Sequence, residues 1–405
     1  MPSTLPDGDP QPSDGALPPD VRAGVGSRPF SIYIHVPYCA TRCGYCDFNT
    51  YTAAELGGGA SQASYAHDAV AELTFARGVL GDVDLPVQTV FFGGGTPTLL
   101  PVADLAAMLT AVRDRFGLAP DAEVTTEANP ESVDARSLAA LREAGFTRVS
   151  FGMQSVRPHV LAVLDRMHTP GASAARVADA RAAGFEHISL DLIYGTPSES
   201  DDDWRASLDA AIAAEPDHIS AYSLIVEDGT RLAGRVARGE LPQPDDDVLA
   251  DRYLIADEVL SAAGFCWYEV SNWSKAGGQC RHNLAYWRST DWWGVGPGAH
   301  SHVGGVRWWN VKHPTTYAAR VAAGVSPGQA RECLSASMQR VERVLLQLRL
   351  SEGLDLGGLD DAGRAAARRE VAGGLLDATA FEQGRGVLTL EGRLLADGVV
   401  RRLLS

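Results

Sequence analysis

Three cysteines stand within one eight-residue segment, Cys39-Ala-Thr-Arg-Cys43-Gly-Tyr-Cys46. The spacing C-x3-C-x2-C follows an apolar run that ends at Pro37, so a single loop carries all three thiols. A structural zinc site normally takes four protein ligands, and no fourth ligand is obvious nearby. A four-iron cluster held by only three cysteines keeps one iron open for a substrate or cofactor. The loop therefore favours an iron–sulfur cluster, with a zinc knuckle or three free buried thiols as the alternatives.

A glycine-rich turn, Gly93-Gly94-Gly95-Thr96-Pro97-Thr98, follows a second apolar run. Glycines leave no side chain between the backbone and a ligand, although many such turns are simply loops. Polar residues mark the ends of further apolar runs or lie shortly after them: Glu127, Gln154, Arg166 and Asp191. Each one alone is equally consistent with a satisfied polar residue at the end of a strand. Together they favour a binding site near the cysteine loop.

The cysteine loop and the glycine turn together resemble the signature of the radical S-adenosylmethionine (SAM) superfamily, and the similarity runs from about residue 31 to the C-terminus. In that superfamily three cysteines hold a [4Fe-4S] cluster, and SAM chelates the open iron. An electron from the cluster cleaves SAM to a 5′-deoxyadenosyl radical, chemistry that belongs to the cofactors. The resemblance implies that Cys39, Cys43 and Cys46 are the cluster ligands.

The porphyrin-related branch of the superfamily matches further positions, which the resemblance implies contact SAM. These positions are Tyr33, Tyr45, Gly94, Gly95, Thr96, Glu127, Gln154, Arg166 and Asp191. Their chemistry agrees with the ligand, because SAM carries a sulfonium cation, a carboxylate and ribose hydroxyls. Carboxylates such as Glu127 and Asp191 suit the cation or the hydroxyls, and Arg166 suits the carboxylate.

A second motif, His282-Asn283-Leu284-Ala285-Tyr286-Trp287, lies in a tryptophan-rich part of the chain. Its pattern H-N-x-x-Y-W resembles a motif associated with heme binding in HemW-type heme chaperones. The implied heme residues are His282, Asn283, Tyr286 and Trp287. Heme iron needs an axial ligand such as His or Cys, so Cys280, His300 and His302 are alternative ligands. A hydrogen-bonded structural histidine is the alternative interpretation of His282.

Two members of this branch compete. Oxygen-independent coproporphyrinogen III dehydrogenase decarboxylates two propionates, and it carries a fourth cysteine two residues after the third. Phe48 occupies that place here. The dehydrogenase also has a structured N-terminal extension, whereas residues 1–28 are predicted to be a disordered tail rich in Pro, Gly, Asp and Ser. With the H-N-x-x-Y-W motif, these features favour the chaperone, which would carry heme to an acceptor protein; cleavage of SAM, with its electron donor, stays open.

Strand-like runs are predicted at 31–36, 87–92, 123–127, 148–153, 187–193 and 218–224, and helices at 64–79, 103–116, 137–144, 172–183 and 204–214. This alternation indicates an α/β fold with right-handed crossovers between parallel strands. We expect a partial (β/α)6 TIM-like barrel of the radical SAM type over residues 29–228, with an open doubly wound sheet as the alternative. Barrel enzymes keep their chemistry at the carboxyl ends of the strands, where the motifs above fall.

The rest of the chain is predicted to be a smaller C-terminal α+β region. Residues 229–334 are expected to be a Trp-rich linking region, with buried thiols at Cys266 and Cys333. Residues 335–405 are expected to form a winged-helix-like module, with helices at 337–350 and 362–378 and a hairpin at 387–395. A structural or partner-docking role is favoured for this module over DNA reading.

The composition excludes several classes of protein. The 405 residues are 45% hydrophobic and 21% charged, as in soluble globular proteins. Thirty-five Lys+Arg against 51 Asp+Glu give a net charge of −16, which argues against broad attraction to nucleic acid or anionic lipid. Neither a transmembrane run nor a signal pattern occurs, and six cysteines make no disulfide framework. A cytoplasmic protein with reduced thiols is predicted.

Overall fold

The computed structural model of the chain describes residues 7–56, 62–166 and 169–405. The strands of this part of the chain are β1 (Asp9–Pro10), β2 (Phe30–Val36), β3 (Val87–Gly94), β4 (Leu118–Ala128), β5 (Arg148–Gln154), β6 (His187–Tyr194), β7 (His218–Ser223), β8 (Cys266–Glu269), β9 (Asn272–Ser274), β10 (Asp291–Val295), β11 (His300–Val303), β12 (Val306–Asn310), β13 (Gly328–Cys333), β14 (Leu354–Asp355) and β15 (Arg385–Gly386).

The helices of the described residues are α1 (Pro19–Ala23), α2 (Ala53–Leu56), α3 (Gln62–Leu80), α4 (Val102–Phe116), α5 (Ala135–Ala144), α6 (Pro158–Val163), α7 (Ala172–Ala183), α8 (Asp201–Ala213), α9 (Arg231–Ala237), α10 (Asp246–Ala262), α11 (Arg281–Trp287), α12 (Pro314–Ala322), α13 (Ala336–Gln347), α14 (Asp361–Ala372), α15 (Ala378–Glu382), α16 (Leu390–Leu394) and α17 (Ala396–Leu404). None of these helices has both the length and the apolar character that crossing a bilayer requires.

The six predicted strands are confirmed as β2 to β7, which pair in parallel in the order in which they follow one another along the chain. A doubly wound sheet reverses its strand order at a switch point, and these six strands show no such reversal. They form the partial barrel. Their near-continuous apolar runs are buried, as parallel strands covered by helices require.

The Trp-rich region extends this sheet at both edges. Strand β10 pairs in parallel with β2, and β11, β12, β13 and β1 continue outward in antiparallel order. On the other edge β9 and β8 continue from β7. The tryptophans drive this extension because Trp273, Trp293 and Trp308 are buried in the main core. The predicted burial of Cys266 and Cys333 is wrong, since both side chains are exposed at strand ends.

The prediction of a disordered tail over residues 1–28 is wrong for its described part, residues 7–28. Asp9–Pro10 pairs with Arg331 and Ala330 of β13, and the Arg331 Nη1 donates to the Ala16 carbonyl at 2.9 Å. Leu17 is buried in the main core. The composition of this segment underestimated its structural order. A few backbone hydrogen bonds and a few buried apolar side chains are enough to hold it against an existing sheet.

The C-terminal module has a hydrophobic core of its own, with side chains from α13, α14 and α17 and from the segments between them. The hairpin predicted over residues 387–395 is wrong, because α16 occupies Leu390–Leu394, and the segment continues as α17 from Ala396 to Leu404. Val399, Val400 and Leu403 are buried at helical spacing, which explains why the segment is helical. The two-stranded sheet that the module does contain pairs β14 with β15.

Candidate functional site

A cavity of about 2170 Å³ lies inside the partial barrel. Its upper wall is formed by the loops that follow β2, β3, β4, β5 and β7 at their carboxyl ends. It continues inward along the strands to Arg148 and His218, the first residues of β5 and β7. Cys280 and Asn283, at the start of α11, close its inner end. The predicted cluster and SAM residues therefore lie at one open end of a single continuous cavity.

The cysteine loop after β2 is held by backbone hydrogen bonds. The Cys39 amide donates to the Tyr51 carbonyl at 3.0 Å, and the Gly44 amide donates to the Leu164 carbonyl at 3.1 Å. Burial raises the pKa of the Cys39 thiol to about 11. A thiolate in this position therefore needs a nearby positive charge, which a bound iron cluster supplies.

Among the described residues, no three His, Cys, Asp or Glu side chains are close enough to share one metal ion. The cluster assignment rests on the shared loop and its thiols and not on a preformed single-ion site.

Arg166 connects the cysteine loop to β5. Its Nη1 donates to the Cys43 Sγ at 3.1 Å, and its Nη2 donates to the Gly152 carbonyl at 3.4 Å. A Cβ at Gly152 would lie 2.7 Å from that same Nη2, so glycine leaves the room that the guanidinium needs. Arg166 thus brings a fixed positive charge beside a thiol that the cluster would bind.

The glycine turn after β3 packs directly against the cysteine loop. The Gly95 amide donates to the Val36 carbonyl and the Thr96 amide donates to the Tyr38 carbonyl, both at 2.8 Å. A Cβ at Gly95 would overlap the Tyr38 carbonyl oxygen and lie 3.0 Å from the Cys39 Sγ. Gly94 has φ +110°, a conformation that glycine adopts without strain. The turn therefore positions the cysteine loop as well as lining the cavity.

Two partly buried carboxyl groups line the cavity, and each is close enough for its charge to act on the other. Glu127 Oε2 accepts a hydrogen bond from the Gly94 amide at 3.0 Å, and burial together with the charge of Asp191 raises the Glu127 pKa to about 8. The Asp191 oxygens accept hydrogen bonds from Ser150 Oγ at 2.9 Å and from Ser220 Oγ at 2.7 Å. A cationic ligand beside this pair would relieve their mutual repulsion.

Gln154 combines backbone strain with an unused acceptor. Its φ is +63°, in the left-handed region that non-glycine residues rarely adopt. Its Oε1 is buried, and within the described part of the chain it has no hydrogen-bond partner. Strained residues and orphaned polar atoms concentrate at binding sites. The Gln154 oxygen fits a hydrogen-bond donor of a ligand such as SAM, which carries an ammonium group and hydroxyls.

The structure brings eleven of the twelve predicted cluster and SAM residues to the lining of this cavity. They are Cys39, Cys43, Tyr45, Cys46, Gly94, Gly95, Thr96, Glu127, Gln154, Arg166 and Asp191. Tyr33 is the exception: its hydroxyl bonds His35 Nδ1 at 3.0 Å, and its ring lies against Phe91 at 6.2 Å between centroids. Phe91 itself lines the cavity, so Tyr33 supports the wall from behind.

The H-N-x-x-Y-W motif lies at the opposite end of the barrel. The amide of His282 donates to the Glu123 carboxylate at 3.0 Å, which fixes the start of α11 near the middle of β4. The Thr89 hydroxyl donates to Ser31, so it accepts from the Nδ1–H of His282 at 2.7 Å. The Nε2 of His282 then accepts from the Tyr286 hydroxyl at 2.8 Å. Both ring nitrogens of His282 are therefore engaged in hydrogen bonds within the protein.

The other heme candidates of the sequence are separated from one another. Asn283 and Cys280 line the inner end of the cavity, whereas Tyr286 and Trp287 do not contribute to its lining. His302 lies outside that lining, with its Nδ1 3.0 Å from the Thr290 carbonyl oxygen. His300 also lies outside the lining and stacks on Trp309.

Several lining residues were not singled out from the sequence. The inner face of β5 presents Arg148, Ser150 and Gly152, and the inner face of β7 presents His218, Ser220 and Tyr222. The signal was available, because polar residues alternate with apolar ones in strands that otherwise read as buried. Ile225, just after β7, also lines the cavity, and no sequence pattern marks it.

Comparisons with known proteins agree with this geometry. The Radical SAM superfamily matches residues 33–211. The heme chaperone HemW of Mycobacterium tuberculosis is 57% identical over 384 residues, 95% of this chain and 97% of that protein. The heme chaperone HemW of Synechocystis is 35% identical over 340 residues, 82% of this chain and 81% of that protein.

Among solved structures, coproporphyrinogen III oxidase (HemN) from Escherichia coli superposes with a TM-score of 0.81, covering 98% of this chain and 95% of that one. Its sequence identity is 21%, so this likeness shows the fold alone. The sequence likeness to the HemW protein of Mycobacterium tuberculosis spans nearly its whole length, and the identity is far higher. The chain therefore belongs to the HemW family within the radical SAM superfamily.

Proposed function

We propose that this protein is a heme chaperone, which binds heme and transfers it to an acceptor protein while holding a SAM-liganded [4Fe-4S] cluster. The observation that carries the proposal is the 57% identity, over 97% of its length, to a protein named as a heme chaperone. Phe48 at the place of the dehydrogenase's fourth cysteine is consistent with it. Residues 7–28 are held against the sheet, so this segment does not distinguish the chaperone from the dehydrogenase.

The residues present fit the cluster and SAM. The thiolates of Cys39, Cys43 and Cys46 would hold the cluster, which supplies one-electron chemistry to SAM at its open iron. Arg166 sets a positive charge beside Cys43. The amides of the glycine turn are already bonded within the protein, so a ligand ammonium group would meet its carbonyl oxygens. Glu127 would add a negative charge next to that ammonium group.

The remaining features of the proposal concern partners. We expect an acceptor protein for heme, an electron donor if SAM is cleaved, and action in the cytoplasm. The net charge of −16 gives no reason to expect a nucleic-acid partner. The dehydrogenase is the second candidate, since the HemN fold is shared over 98% of this chain.

The proposal is tested by an anaerobic titration of the cluster-loaded protein with heme, followed by the Soret band. Saturation near one heme per chain supports the chaperone. Weak, nonsaturating binding, together with decarboxylation of a porphyrinogen when SAM and a reductant are added, would establish the dehydrogenase instead.

The cluster ligands are tested separately. Cys39→Ala, Cys43→Ala and Cys46→Ala should each abolish bound iron and sulfide, whereas the exposed Cys333→Ala should retain both. Wild-type iron and sulfide content in any of the three loop variants would remove that cysteine from the ligand set.

A further inference from the structure

The short helix α11, which carries the H-N-x-x-Y-W motif, is capped by a side chain from the sheet. Within the described part of the chain, its own N-cap residue, Cys280, provides no side-chain cap. Glu123 of β4 takes that role: its Oε2 accepts from the Arg281 amide at 3.1 Å, and its Oε1 accepts from the His282 amide at 3.0 Å. A helix of seven residues is marginal by itself, so its position depends on tertiary contacts of this kind.

The Glu123 carboxylate is itself held in one place. Its side chain is 4% exposed, and its Oε2 lies 3.7 Å from Nη1 of Arg148, on the neighbouring strand β5. Arg148 is fixed in turn, because it donates to the Gly278 carbonyl and to Ser189 Oγ, both at 2.9 Å. The buried anion and the buried cation thus hold each other, and the carboxylate has little freedom to move.

The cluster and SAM site makes no use of Glu123. Thr125 and Glu127, which follow it on the same face of β4, line the cavity, whereas Glu123 does not contribute to that lining. Burying a charged pair costs free energy, and apolar residues of similar size would serve a purely structural contact at least as well. The burial of Glu123 therefore points to the helix that its oxygens hold.

The start of α11 determines where the rings of the motif lie. The His282 ring stacks on Phe91 with 5.1 Å between the centroids. Tyr286, one turn later, packs edge-on against the His282 ring at 4.8 Å and against Trp292 at 4.7 Å. Packed rings of this kind move together, so a shift of the first turn would displace the whole set. The aromatic surface of the motif therefore depends on the anchor at Glu123.

We propose that Glu123 is the positioning residue of the heme motif: its carboxylate holds α11 in the place where the motif meets heme, and Arg148 compensates its charge. This inference rests on the proposed chaperone function and on the heme role that the motif implies. Glu123 acts through α11 and not by contact with heme, because each of its oxygens accepts a hydrogen bond from an amide of the helix.

The test compares Glu123→Gln with a double variant that combines Glu123→Gln with Arg148→Met. A glutamine side chain has a single acceptor oxygen, so one of the two helix amides loses its partner. The double variant removes both charges together and keeps the test valid if the single variant, with its unpaired buried cation, does not fold. Asp245→Ala is the matched control, because Asp245 caps α10 through the amides of Asp247 and Val248.

Cluster-loaded, full-length proteins are titrated with heme under anaerobic conditions and followed by the Soret band. We expect the heme Kd to rise about tenfold in both Glu123 variants, with a shifted Soret maximum of the bound heme, and to stay at the wild-type value in Asp245→Ala. The Soret maximum reports the surroundings of the iron, which a general loss of stability would not change. Equal iron and sulfide content before the titration shows that the cluster and the fold are intact.

The outcomes separate this inference from the function on which it rests. A wild-type Kd and an unchanged Soret maximum in both Glu123 variants would overturn the positioning role while the chaperone function stands. A loss in the single variant that the double variant restores would also overturn it, since the unpaired Arg148 would be the cause. An equal loss in Asp245→Ala would overturn it because any weakened helix start would then have the same effect. If the wild-type protein binds no heme, the proposed function fails, and this inference fails with it.

Discussion

Gly95 lies where the glycine turn contacts the cysteine loop. Both loops occupy the space that a side chain at this position would fill. The sequence alone predicts that Gly95→Val blocks SAM and leaves the cluster intact. In the structure, the first atom of any side chain there would meet the Tyr38 carbonyl and the Cys39 Sγ. The Tyr38 carbonyl belongs to the backbone and cannot rotate away as a flexible side chain can. The cysteine loop would therefore have to shift. A change at Gly95 should therefore reach the cluster as well as SAM.

We expect Gly95→Ala to lower bound iron and sulfide together with SAM affinity, and to lower the free energy of unfolding by roughly 1–3 kcal/mol. Iron and sulfide analysis, with SAM binding by calorimetry, measures both effects. Gly78→Ala is the matched control, because a Cβ at this position in α3 meets nothing within 4 Å. Full iron content with SAM binding alone lost would show that the turn does not position the cysteines.

His282 is a residue whose role the motif alone could not settle. Its spacing from Tyr286 was visible in the sequence, but the partner of its Nδ1 is Thr89, 193 residues earlier in the chain. The cysteine loop was predictable because its ligands are local, whereas the hydrogen bonds of His282 depend on the packing of α11 against β3. Long-range partners of this kind are outside the reach of pattern reasoning.

We expect His282→Ala to lower the free energy of unfolding at pH 8 by about 3 kcal/mol, since it leaves the hydroxyls of Thr89 and Tyr286 without that partner and opens a small cavity. The motif further implies that the folded variant binds heme more weakly than the wild type. Denaturant unfolding and heme titration on the same preparation measure both. Unchanged stability would contradict this structural role, and weaker heme binding would support the ligand role that the motif implies.

The same variant should change the dependence of stability on pH. Burial lowers the pKa of His282 from 6.5 to about 3, so between these values mainly the unfolded state takes up the proton. The wild type therefore loses stability as the pH falls below 6.5, by about 2 kcal/mol at pH 5 from this group. His282→Ala lacks that loss, and the stability gap between the two proteins should narrow by this amount between pH 8 and pH 5. A gap that stays constant would show that His282 is protonated in the folded protein.

The six barrel strands were predictable, and the edges of the sheet were not. Continuous apolar runs separated by amphipathic helices specify β2 to β7 with little need for context. The extension by β10 depends on pairing with β2, so residues 291–295 meet residues 30–34 far back in the chain. The short strand β1 has only two residues and exists because β13 offers it an edge. A polar, proline-rich segment gives no local sign of such an edge.

Deletion of residues 2–28 should therefore destabilise the protein, although composition alone predicts no effect. The segment contributes the buried side chains of Leu17 and Val25 and the pairing of β1 with β13. We expect a loss of at least about 3 kcal/mol in the free energy of unfolding and faster amide exchange in residues 328–333. Leu17→Ala should give a smaller loss, and the exposed Val248→Ala should give almost none. Unchanged exchange in β13 after the deletion would show that the segment is not bound to the sheet in solution.

At the scale of the whole molecule, two separate hydrophobic cores must be joined. The main core fills the sheet and its helices, and the second core lies within residues 344–403. Arg393 of α16 crosses between them: it pairs with Asp257 at 2.8 Å and lies 4.4 Å above the Trp267 ring. Both partners belong to the sheet side, on α10 and β8. At this contact, the largely buried guanidinium of Arg393 connects the two parts of the molecule, and a continuous apolar interface does not.

We expect Arg393→Ala to lower the free energy of unfolding by about 2 kcal/mol, since it removes an ion pair and a cation–π contact together. The effect should be uneven, because the C-terminal module retains its own core but loses this connection. Amide exchange in residues 336–404 should accelerate more than exchange in β2 to β7. Arg205→Ala is the control, since it breaks an exposed pair with Glu258 and should leave both regions unchanged. Uniform acceleration across the two regions would mean that they unfold as one unit, with Arg393 contributing only general stability.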